Sequence, residues 1–83
     1  MDKSPARKEH PGRAIQRFLD QYDETIHWLA RECRLPVKDV ANVISGVWDI
    51  TPTLATGLAD AFGTSESFWL SLQEAYDSFE EKV

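Results

Sequence analysis

Gly46-Val47-Trp48-Asp49-Ile50-Thr51-Pro52 is the stretch on which the fold turns. Gly46 is a stop signal for the helix before it, since glycine adopts the left-handed conformation that ends a helix without steric cost. Thr51-Pro52 is a start signal: a threonine N-cap followed by proline at the first helical position, where no N–H is needed. The seven residues therefore read as a joint between two helices. Inside the joint stand Val47, Trp48 and Asp49, with no basic side chain among them.

Upstream, Val37, Val40, Ala41 and Ile44 fall at i, i+3, i+4 and i+7, the spacing of one helical face. Leu35-Pro36 breaks the chain before this stripe. Ile26, Leu29, Ala30 and Cys33 repeat the spacing, with Thr25 or Asp23 as the cap. Ile15, Phe18, Leu19 and Tyr22 do so once more, and Pro11 suits the first turn of that helix. Downstream of the joint, Leu54, Leu58 and Phe62 continue a helix until Gly63 stops it. Ser65 is placed to cap a last helix, where Trp69, Leu72, Tyr76 and Phe79 form an apolar edge widened by Phe68 and Ala75. No strand-like alternation occurs, so the sequence predicts an all-α fold of five helices. Residues 1–9 are polar, contain Pro5 and lack periodicity; they read as a flexible N-terminal arm, either inert or touching nucleic acid. Residues 10–83 read as one folded domain.

A chain of 83 residues supports one small core, and 42% hydrophobic with 11% aromatic content suits a folded domain. There is no apolar run of membrane-spanning length and no signal-peptide pattern, so no membrane association and a cytoplasmic location are expected. The net charge of -5 is unevenly spread. Residues 1–34 carry Lys3, Arg7, Lys8, Arg13, Arg17, Arg31 and Arg34, whereas residues 35–83 carry only Lys38 and Lys82 among many carboxylates. An acidic total does not forbid nucleic-acid binding where a local basic patch exists.

Helices two and three are short, each has one apolar face, and few residues separate them. That is the anatomy of a helix-turn-helix, whose second helix enters the major groove of DNA. At about 100° per residue, the face of helix three opposite its apolar stripe presents Lys38, Asp39, Asn42 and Ser45. Asn42 suits the bidentate edge of adenine, and Ser45 suits a base or a phosphate. Lys38 is the one cation there, and Asp39 repels the backbone. Arg31 and Arg34, ending helix two, and Arg13 and Arg17 on helix one are the remaining cations of the domain's first half. The competing reading of all these residues is an ordinary solvated surface.

The letters around this unit carry a family resemblance. His10-Pro11-Gly12, Leu29-Ala30, Gly46, Ile50-Thr51, Leu58-Ala59, Gly63-Thr64-Ser65, Phe68-Trp69-Leu70, Leu72-Gln73 and Ala75-Tyr76-Asp77 together resemble the HigA antitoxins, a group of Xre-like repressors. The resemblance spans roughly residues 10–77. It implies a lambda-repressor-like five-helix domain that is not an enzyme and needs no cofactor. It also implies binding to operator DNA as a homodimer and neutralisation of a cognate ribonuclease toxin. In that group the third helix and the following turn usually carry several arginines or lysines; the matching positions here are Asp39, Ser45, Val47 and Trp48. A glutamine common at the start of helix two is replaced by Ile26, and a glycine of the turn by Arg34.

Two functions follow. In the first, Lys38, Asn42, Ser45, Arg31 and Arg34 bind operator DNA. In the second, the same fold serves mainly protein contact, with DNA binding weakened by the missing cations. Trp48 either folds back as a local plug or stays exposed with Val47 as a partner anchor. Trp28, off its helix's stripe, adds with His27 and Ile26 to an apolar surface. Phe68, Trp69, Leu72, Tyr76 and Phe79 give helix five more apolar width than a small core needs, which suits a dimerisation helix; the alternative is that all five close the core. His27 and Cys33 lie on different faces of one helix with no third group, and no metal-ligand spacing exists, so neither catalytic nor metal residues are assigned. Cys33 sits on the apolar stripe as a small core residue.

Overall fold

A computed structural model of the protein describes residues 10–82, with side chains through Ser78. The expected arm at 1–9 and the side chain of Phe79 lie outside the described residues. The described residues form five helices in order: α1 (Pro11–Tyr22), α2 (Ile26–Cys33), α3 (Val37–Ile44), α4 (Pro52–Phe62) and α5 (Glu66–Lys82). Among the described residues there is no strand.

The helix boundaries are set by local chemistry. Thr25 Oγ1 accepts from the Trp28 N–H at 3.1 Å, Thr51 Oγ1 from Leu54 N–H at 3.2 Å and Ser65 Oγ from Phe68 N–H at 3.1 Å. Each satisfies a first-turn donor that has no partner within its helix. Asp23, the other candidate cap for α2, instead ends α1 in the left-handed conformation at φ 58°. At the start of α1 the cap is His10, whose Nδ1 accepts from the Gly12 N–H at 2.9 Å.

The helices surround one core built from Ile15 and Leu19, Leu29 and Ala30, Val40 and Val43, Leu54, Leu58 and Phe62, with Ile50 and Trp69 closing it. Two glycines permit the closest helix approaches. A Cβ on Gly12 would lie 2.1 Å from the Val43 carbonyl oxygen and 2.7 Å from that of Ile44, so α1 begins directly on the end of α3. A Cβ on Gly57 would lie 2.7 Å from Cys33 Sγ, which brings α4 against α2.

The apolar edge of α5 is used differently from the outward-facing surface expected of it. Trp69 is fully buried, and its indole N–H donates to Thr64 Oγ1 at 2.7 Å. It is therefore a core residue, not part of an exposed interface. Leu72 and Tyr76 are half-buried, Tyr76 meeting His10 edge-on with ring centroids 4.9 Å apart. Phe68 alone of the five is exposed among the described side chains, resting on Trp69 and Phe18. The physical reason is that α5 packs its apolar row inward: Trp69 enters the core, Leu72 packs against it, and Gln73, one turn on from Trp69, is bonded to Ile50 in the joint between α3 and α4.

Candidate nucleic-acid interface

The α2–α3 unit has the geometry expected of a helix-turn-helix. Cys33 ends α2, and Arg34 follows at φ 59°, its N–H bonding back to the Arg31 carbonyl at 3.2 Å. A left-handed residue reverses the chain within one step, and Leu35 N–H reaches the Ala30 carbonyl at 3.0 Å to complete the turn. Pro36 then starts α3 with an extended backbone and no side-chain cap. Val40 and Val43 anchor α3 in the core.

The opposite face of α3 presents exposed Lys38 and Ser45 with half-buried Asn42 between them. Arg31 and Arg34 are exposed at the end of α2. The five residues expected to face DNA thus lie on α2, α3 and the residues that end them, four exposed and Asn42 half-buried. Ser45 spends its hydroxyl proton on the Asn42 carbonyl at 3.1 Å, which leaves its oxygen lone pairs as acceptors.

The turn after α3 is held from three sides. The Asn42 carbonyl also accepts from the Val47 N–H at 2.9 Å and the Trp48 N–H at 3.1 Å, so the chain curls over the last turn of the helix. Below, the Ile50 N–H donates to Gln73 Oε1 at 2.7 Å in a buried contact, and Gln73 Nε2 donates to Asp77 Oδ1 at 2.9 Å. Alongside, His10 packs near Gly46 and brings its Nε2 to 3.6 Å from Asp49 Oδ1. His10 and Gln73 hold the turn that follows α3, a role the sequence shows only as family lettering. A polar Gln73 on the same side of α5 as Trp69 was the available signal.

Val47 is 69% exposed and Trp48 47% exposed. Trp48 neither plugs the core nor projects freely: it forms one wall of a cleft of about 210 Å³ at the flank of α3. Trp28 is half-buried and packs on Phe62 at 5.9 Å, so it contributes less to the surface than its position off the stripe suggested. Cys33 is buried; desolvation first, then Glu32 and Asp60, push its thiol up to about 11, which keeps it protonated and unreactive at neutral pH. Among the described residues no group of three or more His, Cys, Asp or Glu could hold a metal ion, and no helix is long and apolar enough to cross a membrane.

Five helices with a short α2–turn–α3 unit held by α1, α4 and α5 define a helix-turn-helix protein of the lambda-repressor-like class. No protein-family model matches the chain. A HigA-family addiction-module antidote protein from Coxiella burnetii is 33% identical, with a TM-score of 0.81 over 89% of this chain and 82% of that one. The Pseudomonas aeruginosa antitoxin HigA, solved with the higBA promoter, is 30% identical with a TM-score of 0.81, covering 86% and 78%. The HTH-type transcriptional regulator YddM of Escherichia coli K12 is 30% identical over 71 residues, 86% of this chain and 76% of its own length. The chain belongs to the HigA family of antitoxins. These relatives are antitoxins and transcription regulators.

Proposed function

We propose that the protein is a cytoplasmic HigA-type antitoxin that binds operator DNA as a dimer, represses transcription and neutralises a cognate toxin without enzymatic activity. The observation that carries this reading is the outward face of α3, a helix anchored in the core on one side and displaying Lys38, Asn42 and Ser45 on the other. In this reading Asn42 reads a base edge, Ser45 accepts from a base donor, and Lys38, Arg31 and Arg34 neutralise phosphate. The promoter-bound Pseudomonas antitoxin, alike in fold over most of both chains, supports the same docking mode. Phe68, Leu72, Tyr76 and Phe79 on α5 are the proposed contribution to the dimer.

A mobility-shift titration of the protein's own promoter at low salt tests this. A shift that weakens on Asn42→Ala and Lys38→Ala is expected. No shift, even with the toxin present, removes the DNA half of the proposal.

The exposed Val47-Trp48 pair favours a second reading, in which this fold chiefly serves protein contact. Replacing both residues with arginine separates the two: tighter DNA binding places the turn against phosphate, and no gain places it elsewhere.

A further inference from the structure

The cleft beside Trp48 has a composition that operator binding does not explain. Its floor is apolar, made by Leu35, Val43 and Leu54, the last two almost fully buried. Trp48 lines one side of it. Two carboxylates, Asp39 from α3 and Asp49 from the following turn, line it beside Thr51; no lysine or arginine does, and His10 Nε2 stands 3.6 Å from Asp49 Oδ1, leaving the other carboxylate oxygen for a ligand. Carboxylates at this position repel phosphate, so the cleft is not suited to the DNA backbone.

We propose that this cleft receives an arginine side chain presented by a basic protein partner. Each feature of the site matches one part of that side chain. The methylene stem lies on the apolar floor, as long cationic side chains commonly do. The planar guanidinium stacks on the indole face, an attraction that strengthens as water is excluded. Its N–H fork donates to carboxylate oxygens, for which arginine geometry is better suited than the compact lysine ammonium. The volume accommodates one long side chain rather than a folded segment. Charge complementarity selects the partner class: the chain carries -5 overall, and its second half sets Asp39, Asp49, Asp60, Glu66, Glu74, Asp77, Glu80 and Glu81 against Lys38 and Lys82. Such a field steers basic proteins toward it and speeds their encounter. The inference does not rest on operator binding, since the cleft residues are not those assigned to DNA.

The test is an NMR titration of the ¹⁵N-labelled full chain with a blocked pentapeptide bearing one central arginine. Its citrulline counterpart and free arginine serve as comparison ligands. Saturable shifts at the Trp48 indole N–H and the Asp39 and Asp49 amides are expected with the arginine peptide. Binding should weaken at least fivefold with citrulline, and again at least fivefold in the Asp39→Asn/Asp49→Asn variant. That variant alters exposed or half-exposed carboxylates, and its unchanged thermal unfolding would confirm an intact fold; Trp48→Phe, retaining an aromatic wall, provides a milder second variant with partial loss. Absence of saturable shifts, equal binding of citrulline, or an unaffected double variant overturns the proposal. Free arginine binding as tightly as the peptide overturns the assignment to a protein partner in favour of a small-molecule site. Operator mobility shift, measured in parallel on the same variants, reports on the DNA reading independently.

Discussion

Arg34 is a non-glycine residue in the left-handed region, at φ 59°, a conformation that glycine adopts without steric cost. A side chain there costs roughly 1–2 kcal/mol, partly offset in the unfolded chain because glycine has more freedom to lose. Arg34→Gly should therefore raise stability by roughly 0.5–1 kcal/mol, read as a higher midpoint in thermal unfolding, while weakening operator binding. Both changes in one variant would show a residue kept for its charge at the expense of the fold. Cys33 gives a second residue-level expectation. Its pKa rises from 9.0 in the unfolded chain to about 11 when folded, so the folded state holds the proton more tightly. That contribution is complete below pH 9.0 and is lost as pH climbs from there to about 11. Urea unfolding measured across this window should show stability falling, and Cys33→Ala should flatten the fall. Thiol labelling of the native protein at pH 7 should be slow compared with the unfolded chain.

Besides the shared apolar core, the elements are joined by close backbone approach and by single buried hydrogen bonds, and each of these makes a sharp expectation. Gly12→Ala places a methyl group 2.1 Å from the Val43 carbonyl oxygen, a backbone atom that cannot rotate away. A loss of about 3 kcal/mol is expected in chemical unfolding. Gln73→Leu keeps the side chain's approximate size but strips the Ile50 N–H of its acceptor. An unpaired buried N–H costs about 1–3 kcal/mol, and hydrogen exchange at Ile50 should quicken more than at Leu58. The elements themselves were legible in the sequence because their signals are local. Thr51-Pro52, Gly63 and Ser65 each act within a few residues, and the apolar stripes recur at fixed spacing. What ties the elements together was not. The Gln73–Ile50 bond spans 23 residues, and no local pattern announces it. Trp69 was misplaced for a related reason: apolar width on α5 shows that something is covered, but not whether the cover is the chain's own core. The choice between Thr25 and Asp23 as cap also needed backbone geometry, since both residue types suit the role. At the site, the outward side of α3 followed from its period, while Trp48 required the turn's path over the Asn42 carbonyl.

For the whole molecule, the balance between its two charge halves decides how DNA binding responds to salt. Each phosphate contact contributes about -0.9 to the slope of log affinity against log salt. Lys38, Arg31 and Arg34 on each of two protomers give a slope of roughly -5. Filter binding between low and physiological salt measures it. A slope near -10 would assign further contacts to Arg13, Arg17 and the basic residues before His10. The molecule also separates how α3 is held from what α3 displays. It is gripped through main-chain oxygens against Gly12, through the buried Val40 and Val43, and through a turn fastened to α5. None of these fastenings uses Lys38, Asn42 or Ser45 through a long-range side-chain contact. Mutational drift can therefore rewrite the outward letters one at a time without threatening the scaffold. A lineage built on such a frame can exchange one binding target for another while passing through folded intermediates at every step.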